Sequence, residues 1–253
     1  MNASASDHSA THPSDMAGQT VVVIGGSAGM GRETARQVRA RGGDVILVGR
    51  DPDRLREAAA EVGAAGTASF DATDPDRLQE FFQDLPGPVD HVMSTAGTPT
   101  YMPLDGMDLA AARRGFDERM ALTLGIALCS RDKVRPAGTL IYIGGTGGRR
   151  PGVGLSVMSA MTAALPALIA NLALEMAPVR VNLIAAGFVD TPLSASLLGD
   201  RLEARRAELR ATLPIGRVVG PGDVASLAVH IMCNEALTGG TYDIDGGQQL
   251  IPG

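Results

Sequence analysis

The sequence predicts an α/β fold in one domain: a doubly wound parallel sheet of about seven strands with helices on both faces. Three observations predict it. The apolar run VVVI (21–24) leads straight into GGSAGMG (25–31) and then into a helix-forming stretch. Apolar runs and amphipathic segments then alternate at βαβ spacing for the rest of the chain. No repeat, linker or change of composition divides the 253 residues, a length that one α/β domain accommodates.

Residues 1–17 are polar and Ser/Ala-rich with no apolar h-region, so they are expected to form a flexible tail before a domain at 18–253. His8 and His12 lie four apart in that tail and read as solvated; no metal site is expected. The run 21–24 is β-branched and reads as a buried parallel strand. Gly25, Gly29 and Gly31 stand where it turns into a helix starting near Met30. A missing Cβ there serves the tight turn, close approach of backbone to a pyrophosphate, and packing of helix on strand. The free N–H groups of that helix would face the anion.

A second strand is expected at 44–50, then a helix capped by Asp51 with Leu55, Ala59 and Val62 inward. A short third strand spans 67–71, and Asp74 caps a helix whose apolar face is Leu78, Phe81, Phe82 and Leu85. Strand four covers 90–97 and ends in a small-residue turn. Helix at 108–135, strand at 138–145, a Gly/Arg-rich loop, helix at 155–177 and strand at 179–187 follow. The polar stretch 194–212 reads as a mobile helical excursion, followed by a helix at 220–234 and a last strand within 239–247.

A net charge of −6 with interspersed signs argues against a nucleic-acid face or an anionic membrane partner. The longest apolar stretches are broken by Pro, Glu, Arg or Gly, so no transmembrane span is expected. Cys129 and Cys233 sit in apolar helical contexts without metal-ligand spacing and read as buried thiols in a reducing, cytoplasmic compartment.

Several separated motifs together resemble the short-chain dehydrogenase/reductase family, over nearly all of 19–249. GGSAGMG is similar to its TGxxxGxG loop, with Ile24 where Thr is usual. FDATD (70–74) resembles its acidic motif after strand three, STAG (94–97) its NNAG, and VRVNLIAAGFVDT (179–191) its RVNxxxPGxxxT, with Ala186 in place of Pro. PIGRVVGPGDVA (214–225) and GGTYDIDGG (239–247) resemble its C-terminal blocks. The resemblance implies a Rossmann-like dinucleotide site formed by Gly25, Ser27, Ala28, Gly29, Met30, Gly31, Arg50, Asp71, Ala72, Thr95, Ala96, Gly97, Gly187, Val189 and Thr191. It also implies a substrate lid at about 191–213, a small-molecule substrate and a homodimer or homotetramer. Cofactor choice follows from charge. NAD-preferring sites carry an acid at the end of strand two, whereas Arg50 stands there and suits a 2′-phosphate, so NADP(H) is expected over NAD(H).

The family's acid–base residues are missing. A gap-free alignment puts Gly145 at the Ser position, Met158 at the Tyr position and Thr162 at the Lys position, and Thr123 falls at the Asn position. Met158 has no exchangeable proton and Thr162 brings no positive charge, so the catalytic group is unknown. A positioned acid–base is worth about 10²–10⁴ in rate, so ordinary carbonyl reduction is expected to be crippled. Thr146 and Ser156 are candidate substitutes, with Ser159 pointing about 100° from Met158. Tyr142 reads as core. Arg149 and Arg150 are candidates for an acidic or enolate-like substrate. The expected function is an NADP(H)-dependent short-chain oxidoreductase with an atypical proton path, acting on a carbonyl, enone or quinone-type substrate. The alternative is an NADP(H)-binding protein without ordinary redox activity: an isomerase or cyclase, a sensor or a partner subunit.

Overall fold

A computed structural model describes residues 15–251. Seven strands form one parallel sheet: β1 (Thr20–Ile24), β2 (Asp44–Gly49), β3 (Gly66–Ser69), β4 (Val89–Ser94), β5 (Val134–Gly145), β6 (Arg180–Ala186) and β7 (Thr241–Ile244). Their spatial order is β3-β2-β1-β4-β5-β6-β7. The chain winds outward in one direction from β1 and then in the other from β4. Ile24 pairs with Val48 on one side and Ser94 on the other. A crevice therefore opens beyond the carboxyl ends of β1 and β4, where the order reverses.

Side chains of β1 alternate between two cores, one on each face of the sheet. Val22 and Ile24 join the core with Leu122, Ile126, Leu165 and Ile169. Val21 and Val23 join the other, with Ala35, Val38, Ala228 and Ile231. These partners come from α1 (Gly29–Ala40) and α8 (Pro221–Cys233) on one face, and from α4 (Leu109–Ser130) and α5 (Ser156–Glu175) on the other. The remaining helices are α2 (Pro52–Val62), α3 (Pro75–Asp84), α6 (Pro192–Leu198) and α7 (Leu202–Thr212).

Helix starts are strongly encoded. Asp51, Asp74 and Asp108 each accept two backbone N–H bonds at the heads of α2, α3 and α4. Arg180 is buried and donates to the carbonyls of Ala137, Ile231, Met232, Asn234 and Leu237, so one guanidinium closes the end of α8 onto β6.

Several boundaries differ from the sequence expectation. Met16 is fully buried and its N–H reaches the Arg41 carbonyl, so the packed body includes residues assigned to the tail at 1–17. His8 and His12 lie outside the described residues. The third strand stops at Ser69, because Phe70 turns into the core. The fourth helix ends at Ser130, and 134–137 belong to β5. In α2 the buried residue is Ala58, with Ala59 only partly covered. Cys233 is exposed and Cys129 half-buried, and both are free. In 20 residues, α5 is long and apolar enough to cross a membrane by composition, contrary to the expectation that breakers exclude such a stretch. It holds Pro166 internally and packs Met161, Leu165, Ile169 and Leu172 into the core.

Candidate functional site: a two-lobed cleft at the carboxyl edge of the sheet

The first lobe, about 540 Å³, lies where β1, β2 and β4 end. Gly25, Ser27, Ala28, Gly29 and Met30 form one wall, and Arg50, Asp71 and Ala72 close the far end. Thr95, Ala96, Gly97 and Thr191 form the side nearest β6. Gly25 sits at φ +86°, and a Cβ there would fall 2.4 Å from Thr95 Oγ1. That hydroxyl donates to the Gly25 carbonyl at 3.2 Å, tying the turn to β4.

Gly31 does not reach the cleft, although its sequence position suggested it would. A Cβ on it would lie 2.3 Å from the Gly25 carbonyl oxygen, so its role is to let α1 press against the turn. At the head of α1, Ala28 offers no side-chain cap and the first turn has no acid. With α2, α3 and α4 capped by aspartates, α1 alone of these four presents uncapped amides, and they face the lobe. The absent side chains and free amides suit a pyrophosphate brought close to backbone.

At the far end, Asp71 accepts from the Thr73 N–H at 3.0 Å and the Thr73 hydroxyl at 2.8 Å. These bonds hold its carboxyl below the usual range, and the Arg50 charge adds to the effect. The Arg50 guanidinium is 73% exposed and 3.9 Å from Asp71, open to a ligand, while Asp51 is spent on capping α2.

The second lobe, about 590 Å³, shares the Thr95–Gly97 wall and runs under α6 and α7. Gly187 and Val189 line it. A Cβ on Gly187 would meet Asp245 and Gln248 at 2.6 Å, and Gln248 accepts the Phe188 N–H at 2.9 Å, which fixes this loop. Thr191 caps α6 in a reciprocal pair with Ser194. Asp190 takes a two-pronged bond from Arg206 of α7, at 2.8 and 2.7 Å, which clamps the segment expected as a lid onto the end of β6.

Gly145, Met158 and Thr146 all face this lobe. The other candidates fare differently. Thr162 is buried behind the wall, its hydroxyl donating within reach of the Met158 and Ser159 carbonyls. Thr123 is likewise buried, donating to the Arg119 carbonyl. Ser156 is exposed at the first turn of α5 and outside the cleft. Ser159 lines the cleft instead, its hydroxyl donating to the Gly147 carbonyl at 2.9 Å, because the cavity wraps the end of α5 and meets two of its faces. Arg149 turns away to pair with Asp243 of β7, so it does not serve the cleft, whereas Arg150 lines it. Tyr142 is core, its hydroxyl on the Thr123 carbonyl.

Two residues at the site carried no signal in the sequence. Arg119 of α4 lines both lobes and donates to the Ala96 carbonyl at 3.2 Å. Burial pulls its pKa down, but an arginine remains a cation at neutral pH. Tyr101 brings a phenol to the wall of the second lobe, and desolvation pushes it above its usual range, away from acid work at neutral pH.

A doubly wound sheet with a glycine-lined crevice at its reversal point is the architecture of a dinucleotide-binding protein. Residues 25–249 match the family described as Enoyl-(Acyl carrier protein) reductase, and the chain belongs to the short-chain dehydrogenase/reductase family. It is 33% identical over 257 residues to 3beta-hydroxysteroid dehydrogenase 1 of Eggerthella lenta, covering 94% of this chain and 97% of that one. It is 29% identical to carbonyl reductase family member 4 of Xenopus tropicalis, over 90% of this chain and 97% of the relative. The crystal structure of a small-chain dehydrogenase in complex with NADPH superposes with a TM-score of 0.79 at 25% identity, covering 92% of this chain and 99% of that one.

Proposed function

We propose that this protein is an NADP(H)-dependent oxidoreductase of a small apolar substrate, with a proton path that does not use the family's Ser–Tyr–Lys set. The observation that carries the reading is the contrast within one cleft. The first lobe keeps the glycine turn, the uncapped α1 amides and Arg50, while Gly145 and Met158 face the second lobe without a proton to give. The dinucleotide, when bound, supplies hydride transfer. The chain's own part is to hold it along the Gly25–Met30 turn, with Asp71 and Ala72 at the adenine end and Arg50 at the 2′-phosphate. A phosphate there finds an open guanidinium, and the nearest carboxylate, Asp71, is engaged by Thr73. Thr95–Gly97, Gly187, Val189 and Thr191 line the other end.

In the second lobe, Thr146 and Ser159 are the hydroxyls nearest the family's vacated positions in sequence, and they take the hydrogen-bonding role in this reading. Arg150 is the substrate contact retained from the GGRRPG loop. A homo-oligomer is supported by the outer faces of α4 and α5, where Leu128 is 76% and Leu174 79% exposed. The free cysteines Cys129 and Cys233 favour a reducing, cytoplasmic setting.

Purified protein with NADPH is offered a panel of quinones, imines, enones and ketones, and the nicotinamide absorbance is followed. The reading predicts consumption with at least one class. Tight NADPH binding with no consumption by any of them would favour the second reading, a dinucleotide-holding isomerase, cyclase or sensor, which the empty acid–base positions also support.

A further inference from the structure

Arg119, Arg150 and Arg205 line the second lobe, and among the described residues no aspartate or glutamate does. Their surroundings differ. Arg205 is answered by Glu208 of α7 at 2.8 Å. Arg119 donates only to the Ala96 carbonyl, and neither it nor Arg150 meets a carboxylate at ion-pair distance among the described residues. Arg149 next door shows the contrary case, with its own aspartate. A guanidinium drawn partly out of water beside apolar walls is costly unless a counter-charge arrives. The walls here are Pro99, Ile143, Leu155, Met158, Phe188 and Leu197.

Resting on the reading of the first lobe as the dinucleotide site, we propose that the second lobe takes an apolar carboxylic acid. Its carboxylate pairs with Arg119, its hydrocarbon body lies against Ile143, Leu155, Met158 and Leu197, and Arg150 supplies a second positive charge. The guanidinium fork matches a planar carboxylate, and Arg119 has donors to spare after its one bond to Ala96. Because Arg119 borders both lobes, a phosphate of the dinucleotide is the rival partner. That group is already answered by the α1 amides and Arg50.

The test titrates free and NADPH-loaded protein by calorimetry with a graded series of acids (hexanoate, cyclohexanecarboxylate, naphthoate), each against its methyl ester. At least one acid is expected to bind roughly tenfold or more tighter than its ester, the size of a charge-assisted bond. Arg119→Met should erase that preference and, because Arg119 also borders the first lobe, lower NADPH affinity by a smaller factor, and Arg119→Lys should restore part of the acid preference. Arg150→Gln, farther along the chain and on a loop, should weaken acid binding by a smaller factor. Should Arg119→Met fail to fold, the wild-type comparison and Arg150→Gln still decide. No acid binding better than its ester, acids included that do not bind at all, overturns the proposal. So does an acid preference that survives Arg119→Met, or a loss confined to NADPH. Acid preference in a protein that never binds NADPH supports the carboxylate site and removes the dinucleotide reading instead.

Discussion

The two lobes share the Thr95–Gly97 wall but are built from different materials. The first is made of backbone: glycines whose Cβ would strike a neighbour, and the free amides of α1. The second is made of side chains gathered from β5, α4, α5 and the α6–α7 segment, and its charge comes from arginines on separate elements. A backbone site tolerates little change, since Gly25 and Gly97 combine positive φ with no room for a Cβ. A side-chain site is open to replacement, and Gly145, Met158 and Thr162, the residues the alignment sets against the family's Ser, Tyr and Lys, lie on that side.

Four changes test this contrast. Installing Gly145→Ser, Met158→Tyr and Thr162→Lys together should raise ketone reduction by about 10²–10⁴. A Cβ on Gly145 would lie 3.3 Å from Thr162 Cγ2, a tight contact that a shift of a few tenths of an ångström relieves. Steady-state assays with NADPH read the gain, and no gain in a folded variant would mean that the second lobe is not organised as the alignment implies. Behind the turn of the first lobe, Gly31→Val pushes atoms into the Gly25 carbonyl at a cost of about 1–3 kcal/mol, which is roughly 5–150-fold in NADPH affinity if the turn absorbs it. Fluorescence titration measures this, with a melting curve to separate local from global damage.

Acid should affect both lobes equally, because the sensitive group sits at the opposite edge of the sheet. His91 lies in the first half of β4, buried, with Nε2 at 2.7 Å from Gln19 Oε1. Burial first, and the Arg180 charge second, pull its pKa down to about 3 from 6.5. Below pH 6.5 the unfolded chain takes up a proton that the folded one refuses until about pH 3. Stability therefore falls with falling pH across that window, by up to about 1.4 kcal/mol per pH unit. His91→Asn should flatten the curve of Tm against pH there, and an unchanged slope would assign acid sensitivity elsewhere. The smallest effect is expected of Arg149→Ala. It breaks a pair with Asp243 that is half open to water, so it should cost no more than about 1 kcal/mol and leave substrate KM alone. A large KM effect would return Arg149 to the cleft.

The same division explains what could be read from the chain. The strand–helix alternation, the aspartate caps and the glycine turn are local, and their elements appeared where the residues put them. Boundaries slipped where a distant contact decides: Met16 is held by burial under α1 and α8, and Val134 is recruited by Val89 of β4. In the cleft, Arg149 and Arg150 are neighbours that face different ways, and only the position of Asp243 on β7 tells them apart. Ser156 and Ser159 are sorted by how α5 meets the loop after β5. Arg119 lies on a helix with no motif around it, and its place beside Ala96 arises only when α4 docks on β4.

The choice of dinucleotide at Arg50 is decided by a pair of titrations, NADPH and NADH, with the wild-type protein and with Arg50→Glu. The wild type is expected to bind NADPH roughly tenfold or more tighter than NADH, and Arg50→Glu to reverse the order. Equal affinity for the two in the wild type, or no binding of either, would contradict it.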